Sequence, residues 1–197
     1  MQQQKAVYLV LDMQNDLVHD NGPSGPGPLG KQVRERELIS KTAAAIAKAR
    51  KAGILVGFVR VGFSAGYPEC PPTSPIFGPA RENGIFKLGT WGTEIHPSLE
   101  QKEGDIQVTK NRVSPFYATN LVAQLRAQNI SRIYCSGVST QAVVQATVRD
   151  AHDRDYEVIV LEDCCAAHDL VEHQNSMQSL GRFCVAISSE AVIFENP

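Results

Sequence analysis

Apolar and polar positions along this chain switch between two periodicities. Residues 6–12 (AVYLVLD) form a short unbroken apolar run, too short for a helix and rich in Val and Leu, which reads as a buried strand. Leu38, Thr42, Ile46 and Ala49 then recur at helical spacing, and Gly53 stands where a helix end takes a left-handed residue. The alternation continues downstream. Further strands are predicted over 54–60, 105–110, 132–138, 157–163 and 183–188. Helices are predicted over 120–128, with Thr119 as cap and Asn129 as stop, over 139–155, and over 170–180, ended by Gly181.

Strands that are apolar throughout are covered on both faces, which requires a parallel sheet with helices on either side. With right-handed crossovers, the expectation is a three-layer α/β/α sandwich: an open, doubly wound, six-stranded parallel sheet in one domain spanning residues 1–197. Two stretches break the rhythm. Residues 17–36 hold GPSGPGPLG, and residues 61–95 hold GYPECPPTSPIFGP and KLGTWG. Connections this long serve as lids, substrate walls or oligomer contacts, or else are passive surface excursions. Gly25, Gly27 and Gly30 spell GxGxxG, but the first strand ends near Asp12, and Pro26 and Pro28 lack the amide hydrogens a pyrophosphate cradle uses. Nucleotide binding is rejected.

Composition narrows the function classes. The net charge of -2 offers no basic field for nucleic acid, and no run approaches the roughly 20 apolar residues of a membrane span. The N-terminus, MQQQKAVYLVLD, passes directly into a strand, so a cytoplasmic chain without a signal peptide is expected. Cys70, Cys135, Cys164, Cys165 and Cys184 are odd in number, irregularly spaced and free of CxxC, as reduced thiols would be. The histidines at 19, 96, 152, 168 and 173 form no recognisable ligand set, so neither metal nor cofactor is expected.

Candidate chemistry gathers at the strand ends, where open α/β sheets bind ligands. Asp12 closes the first strand, either as a catalytic carboxylate or as a turn-forming Asp. Lys110 closes the third, where it either snorkels to solvent or keeps a nearby carboxylate ionised. After the fourth strand, Ser139 or Thr140 is placed to cap a helix whose first amides could hold an anion. Gln14, Trp91, Phe116 and Tyr117 are candidate pocket walls for a small-molecule substrate; aromatics beside strand ends also serve as core.

Taken together, LVLDMQND, VTKNRVSPFYATNL and GVSTQAVVQATVRDA resemble the isochorismatase-like, or cysteine hydrolase, family. The resemblance spans nearly the whole chain and implies a six-stranded sheet, an Asp, Lys, Cys triad and a homodimer or homotetramer. It also implies a non-proline cis peptide beside the nucleophile, here Val138–Ser139, with an oxyanion hole in the adjacent amides. One departure stands out. Aligning GVSTQAVVQAT with the family's GVxTxxCVxxT puts Val143 at the nucleophile position, and an isopropyl group cannot attack a carbonyl. Val113, in KNRVSPF, replaces the tyrosine of the KWRYSAF found in isochorismatases, which points away from isochorismate itself. Three readings follow: water-driven hydrolysis of a small carbonyl- or carboxylate-bearing molecule by Asp12 and Lys110, a silent relative that only binds, or a thiol amidohydrolase using Cys164 or Cys165.

Overall fold

The computed structural model describes residues 4–197; the first three residues of the expected domain and of the N-terminal reading lie outside it. In chain order the elements are β1 (Lys5–Leu11), α1 (Asn15–Val18), α2 (Pro28–Glu35), α3 (Leu38–Lys51), β2 (Leu55–Val61), α4 (Pro79–Asn83), β3 (Ile106–Lys110), α5 (Leu121–Ala127), β4 (Ile130–Val138), α6 (Gln145–His152), β5 (Glu157–Ala166), α7 (Leu170–Leu180) and β6 (Val185–Ile187). All six strands run parallel, in the order β3-β2-β1-β4-β5-β6. The chain builds outward from β1 in one direction and then from β4 in the other. The crevice between the C-terminal ends of β1 and β4 is therefore the topological switch point, where such sheets bind ligands.

Alternation along β1 sorts its side chains onto two faces. Tyr8 and Val10 join Phe58, Tyr134, Leu38 and Ile46 in one apolar layer, while Val7, Leu9 and Leu11 join Val59, Val108, Ile133, Leu125 and Val148 in the other. At the switch point Leu11 pairs with Gly137. A Cβ at position 137 would lie 2.2 Å from the Leu11 carbonyl oxygen, so only glycine lets the two strands approach here.

Four sequence expectations change. The segment 17–36 contains α2, started by Pro28 and docked through Leu29 and Val33, and 61–95 contains α4 and its own apolar cluster of Phe63, Tyr67, Cys70, Phe77 and Phe86. The helix expected over 139–155 begins instead with a π-helical turn, Thr140–Val144, before α6. Neither proposed cap acts: Ser139 makes no capping bond, and the Thr140 hydroxyl meets His173. Finally, β5 runs on to Ala166, which places Cys164 and Cys165 inside the strand. Thr119 does accept from the Leu121 amide at 3.2 Å, and Asn129 is left-handed (φ 55°); Gly181 is right-handed (φ -61°).

Candidate active site

Asp12 leaves β1 in the left-handed region (φ 56°) while its amide still donates to Val59 O at 2.8 Å, which turns the side chain up from the sheet edge. Lys110 ends β3 opposite Val61. The two meet across the end of β2, with Nζ 2.8 Å from Asp12 Oδ2 and side-chain exposures of 1% and 7%. Burial pushes the Asp12 carboxyl above its ordinary range, and the neighbouring ammonium opposes this only in part. Asp12 Oδ1 is buried and has no hydrogen-bond partner among the described residues.

Both side chains line a cavity of about 360 Å³. Val138, Ser139, Ala142 and Val143 approach from the β4 junction, with Val61 from the end of β2. Leu29 of α2, and Phe77, Phe86 and Val113 from the long connections, complete an apolar wall; Ser24 and His168 are its other polar members. The Val138–Ser139 peptide is cis, and Val143 is 2% exposed. Small apolar cavities with a few converging polar groups are the usual form of a metabolite site.

The family model for the isochorismatase domain matches residues 6–191. The chain belongs to the isochorismatase family. It is 30% identical over 173 residues to the isochorismatase family protein YecD of Escherichia coli O157:H7, covering 87% of this chain and 85% of that protein. It is 33% identical over 180 residues to the ureidoacrylate amidohydrolase RutB of Variovorax paradoxus, covering 84% and 69%. Among solved structures, an isochorismatase family protein from Desulfovibrio vulgaris superposes with a TM-score of 0.83 at 25% identity, over 95% of this chain and 96% of that one. The N-carbamoylsarcosine amidase of Thermoplasma acidophilum gives 0.76 at 26%, over 96% and 99%.

Within this isochorismatase-family hydrolase, Asp12, Lys110, Val138, Ser139 and Val143 share one cavity, while the suggested pocket walls lie elsewhere. Gln14 is fully buried and hydrogen-bonds both ways with the Val61 backbone, at 3.0 and 2.9 Å, prolonging β2 by one rung. Phe116 is core, packed near Tyr156. Trp91 is 46% exposed and stands edge-on to His19. Tyr117 is 62% exposed and lines a separate depression with Arg112. Thr140 points away from the cavity, as its partner His173 requires.

The relocated thiol is corrected too. No cysteine lines the cavity. Cys164 and Cys165 are buried; burial pushes the Cys164 thiol up to about 11 and Cys165 well above its usual value, so neither is poised as a thiolate. Sequence reasoning missed Asp16, although it lies in LDMQND. Its Oδ2 accepts from the Phe86 amide at 2.7 Å, and a Cβ on Gly92 would meet its Oδ1 at 2.1 Å. Asp16 thereby pins the strip that supplies the Phe86 wall.

Proposed function

We propose that this chain is a metal-independent hydrolase of a small carbonyl- or carboxylate-bearing metabolite, with Asp12 as acid/base, Lys110 as its electrostatic partner and water as nucleophile. The carrying observation is the buried Asp12–Lys110 pair, with an unpartnered carboxylate oxygen, in a cavity lined also by Val143, which the family resemblance aligns with a nucleophilic cysteine. A raised Asp12 pKa suits a proton donor, since efficient acids lie near the working pH. On a vinyl ether, Asp12 would protonate the terminal carbon, and water would add to the resulting oxocarbenium carbon. The hemiketal would then break its C–O bond to carbonyl and alcohol, returning one proton to Asp12. Lys110 stabilises the carboxylate between those two transfers. On an amide or carbamoyl group, as the names of the ureidoacrylate amidohydrolase and the N-carbamoylsarcosine amidase suggest for those proteins, Asp12 would instead take a proton from the attacking water and pass it to the leaving nitrogen.

One test separates these routes. The chain is incubated with vinyl ethers, N-carbamoyl amides and primary amides in ¹⁸O-labelled water, and products are weighed by mass spectrometry. One labelled oxygen should enter the product of one class, and Asp12→Asn should lower that turnover by about 10³-fold, within the range for a general acid–base. Full turnover by Asp12→Asn would refute the assignment.

Val143 supports a second reading, a silent relative that only binds its ligand. Retention of an ion pair in a low-dielectric site argues against it, because an idle buried pair adds little over apolar packing. A ligand that occupies the cavity and returns unchanged from every panel would favour this second reading.

A further inference from the structure

The turn that brings Ser139, Ala142 and Val143 to the cavity is held from behind by side chains the hydrolytic scheme does not use. Thr140 is fully buried, with its hydroxyl 2.9 Å from Nδ1 of His173 on α7. His173 is itself 1% exposed, and its Nε2 lies 2.6 Å from Oε1 of Glu162 on β5. Arg36, just past α2, donates to that same oxygen at 2.8 Å and to the carbonyls of Glu162 and Cys165 at 3.1 and 2.9 Å. Four segments distant in sequence thus meet in one line of polar groups that ends on the turn.

Charge sets the direction of each hydrogen bond. Hydrogen bonds from His173, and secondarily Arg36, outweigh partial burial and hold the Glu162 carboxyl down at about 2. An ionised carboxylate only accepts, so the 2.6 Å contact puts a proton on His173 Nε2, and Arg36 Nη2, 3.2 Å from that nitrogen, directs its own hydrogens to the Glu162 oxygens. In the neutral ring Nδ1 is then an acceptor, and the Thr140 hydroxyl must donate to it. Nearby, His168, ahead of α7, and Glu172, in its first turn, lie 3.6 Å apart at the surface.

A carboxylate–imidazole–hydroxyl array usually activates a nucleophile. Here the hydroxyl has no exposure and does not line the cavity, so no substrate can reach it. We propose that Arg36, Glu162 and His173 are positioning residues: through the Thr140 hydroxyl they lock the Thr140–Val144 turn to β5 and α7, fixing how Ser139, Ala142 and Val143 face Asp12 and Lys110. The turn needs an external anchor, because no side chain caps it from its own N-terminus. The kinetic consequence rests on the hydrolytic reading; the structural one does not.

Thr140→Val and Thr140→Ser test the proposal by NMR, with no substrate required. Long-range ¹⁵N–¹H correlation of the neutral His173 ring in the wild type should show a protonated Nε2 and a bare Nδ1. Amide resonances from Ser139 to Val144 should move in T140V and return towards wild type in T140S. A proton on Nδ1 in place of Nε2, or turn resonances unmoved in T140V, would overturn the proposal whether or not the chain hydrolyses anything. Should T140V fail to fold, Glu162→Gln carries the test: the tautomer preference should be lost, and unchanged His173 nitrogen shifts would overturn it. With a substrate in hand, T140V should lower kcat by about 10²-fold, as a small misplacement of reacting groups does, with KM within about 3-fold and T140S close to wild type. A change confined to KM would overturn the positioning role.

Discussion

The Asp12–Lys110 pair permits a separation of stability from chemistry. At 2.8 Å and an effective dielectric of about 20, the attraction is about 6 kcal/mol, against a desolvation penalty of several kcal/mol for each ion. The net contribution to folding is therefore small, whereas removing one partner strands a buried charge. Asp12→Asn and Lys110→Met should each cost about 3–5 kcal/mol. In a chain of this length that lowers Tm by roughly 10 °C. The double variant strands no charge and should return to within about 1 kcal/mol of wild type, or exceed it, while remaining inactive. Urea unfolding followed by circular dichroism measures all four proteins. The pH dependence adds a signed check. Without Lys110, the Asp12 pKa, already raised by burial, moves further up. A carboxyl whose folded pKa exceeds its unfolded value contributes stability that is full below the unfolded value and lost as pH rises through the folded one. K110M should therefore gain stability on acidification from neutrality, relative to the double variant. A double variant as unstable as either single one would refute the reasoning, since the pair would then be held for the fold and not for chemistry.

Val143→Cys replaces the isopropyl group by a slightly smaller thiol side chain at the cavity and should perturb stability by about 1 kcal/mol. It should bring iodoacetamide labelling at position 143 and raise amide hydrolysis at least about 10-fold; a site that cannot be labelled would mean that residue 143 does not face the open cavity. Gly137→Ala drives a methyl group into the Leu11 carbonyl and should abolish soluble folded protein, whereas Gly104→Ala, with nothing within 4 Å, should melt like wild type. Asp16→Asn removes the carboxylate from the Phe86 amide, leaving a neutral acceptor in its place. It should cost about 1–2 kcal/mol and raise KM more than it lowers kcat; an unchanged KM would detach Asp16 from the cavity wall. Ile76, Trp91 and Tyr117 are large apolar side chains exposed on the irregular connections, so sedimentation should find a dimer or tetramer, and a monomer at micromolar concentration would remove that expectation.

Residues 6–12 announced a buried strand, Leu38 to Ala49 a helix, and their repeated alternation a parallel sheet, because periodicity is local and reports burial directly. The same local signal put Asp12 and Lys110 at strand ends, whereas only the resemblance to the cysteine hydrolases implied that Val143 stands where a nucleophile is expected. Periodicity could not determine that Asp12 and Lys110 touch. That contact depends on the register of β1 against β2 and of β2 against β3, which strand pairing imposes over long sequence separations. Nor could it tell wall from core: Phe116 and Phe77 look alike in sequence, yet one packs in the core near Tyr156 and the other lines the cavity. The π turn and its Thr140–His173–Glu162 anchor were equally invisible. A buried hydroxyl must find a partner, but which partner is decided only when α7 packs beside the turn.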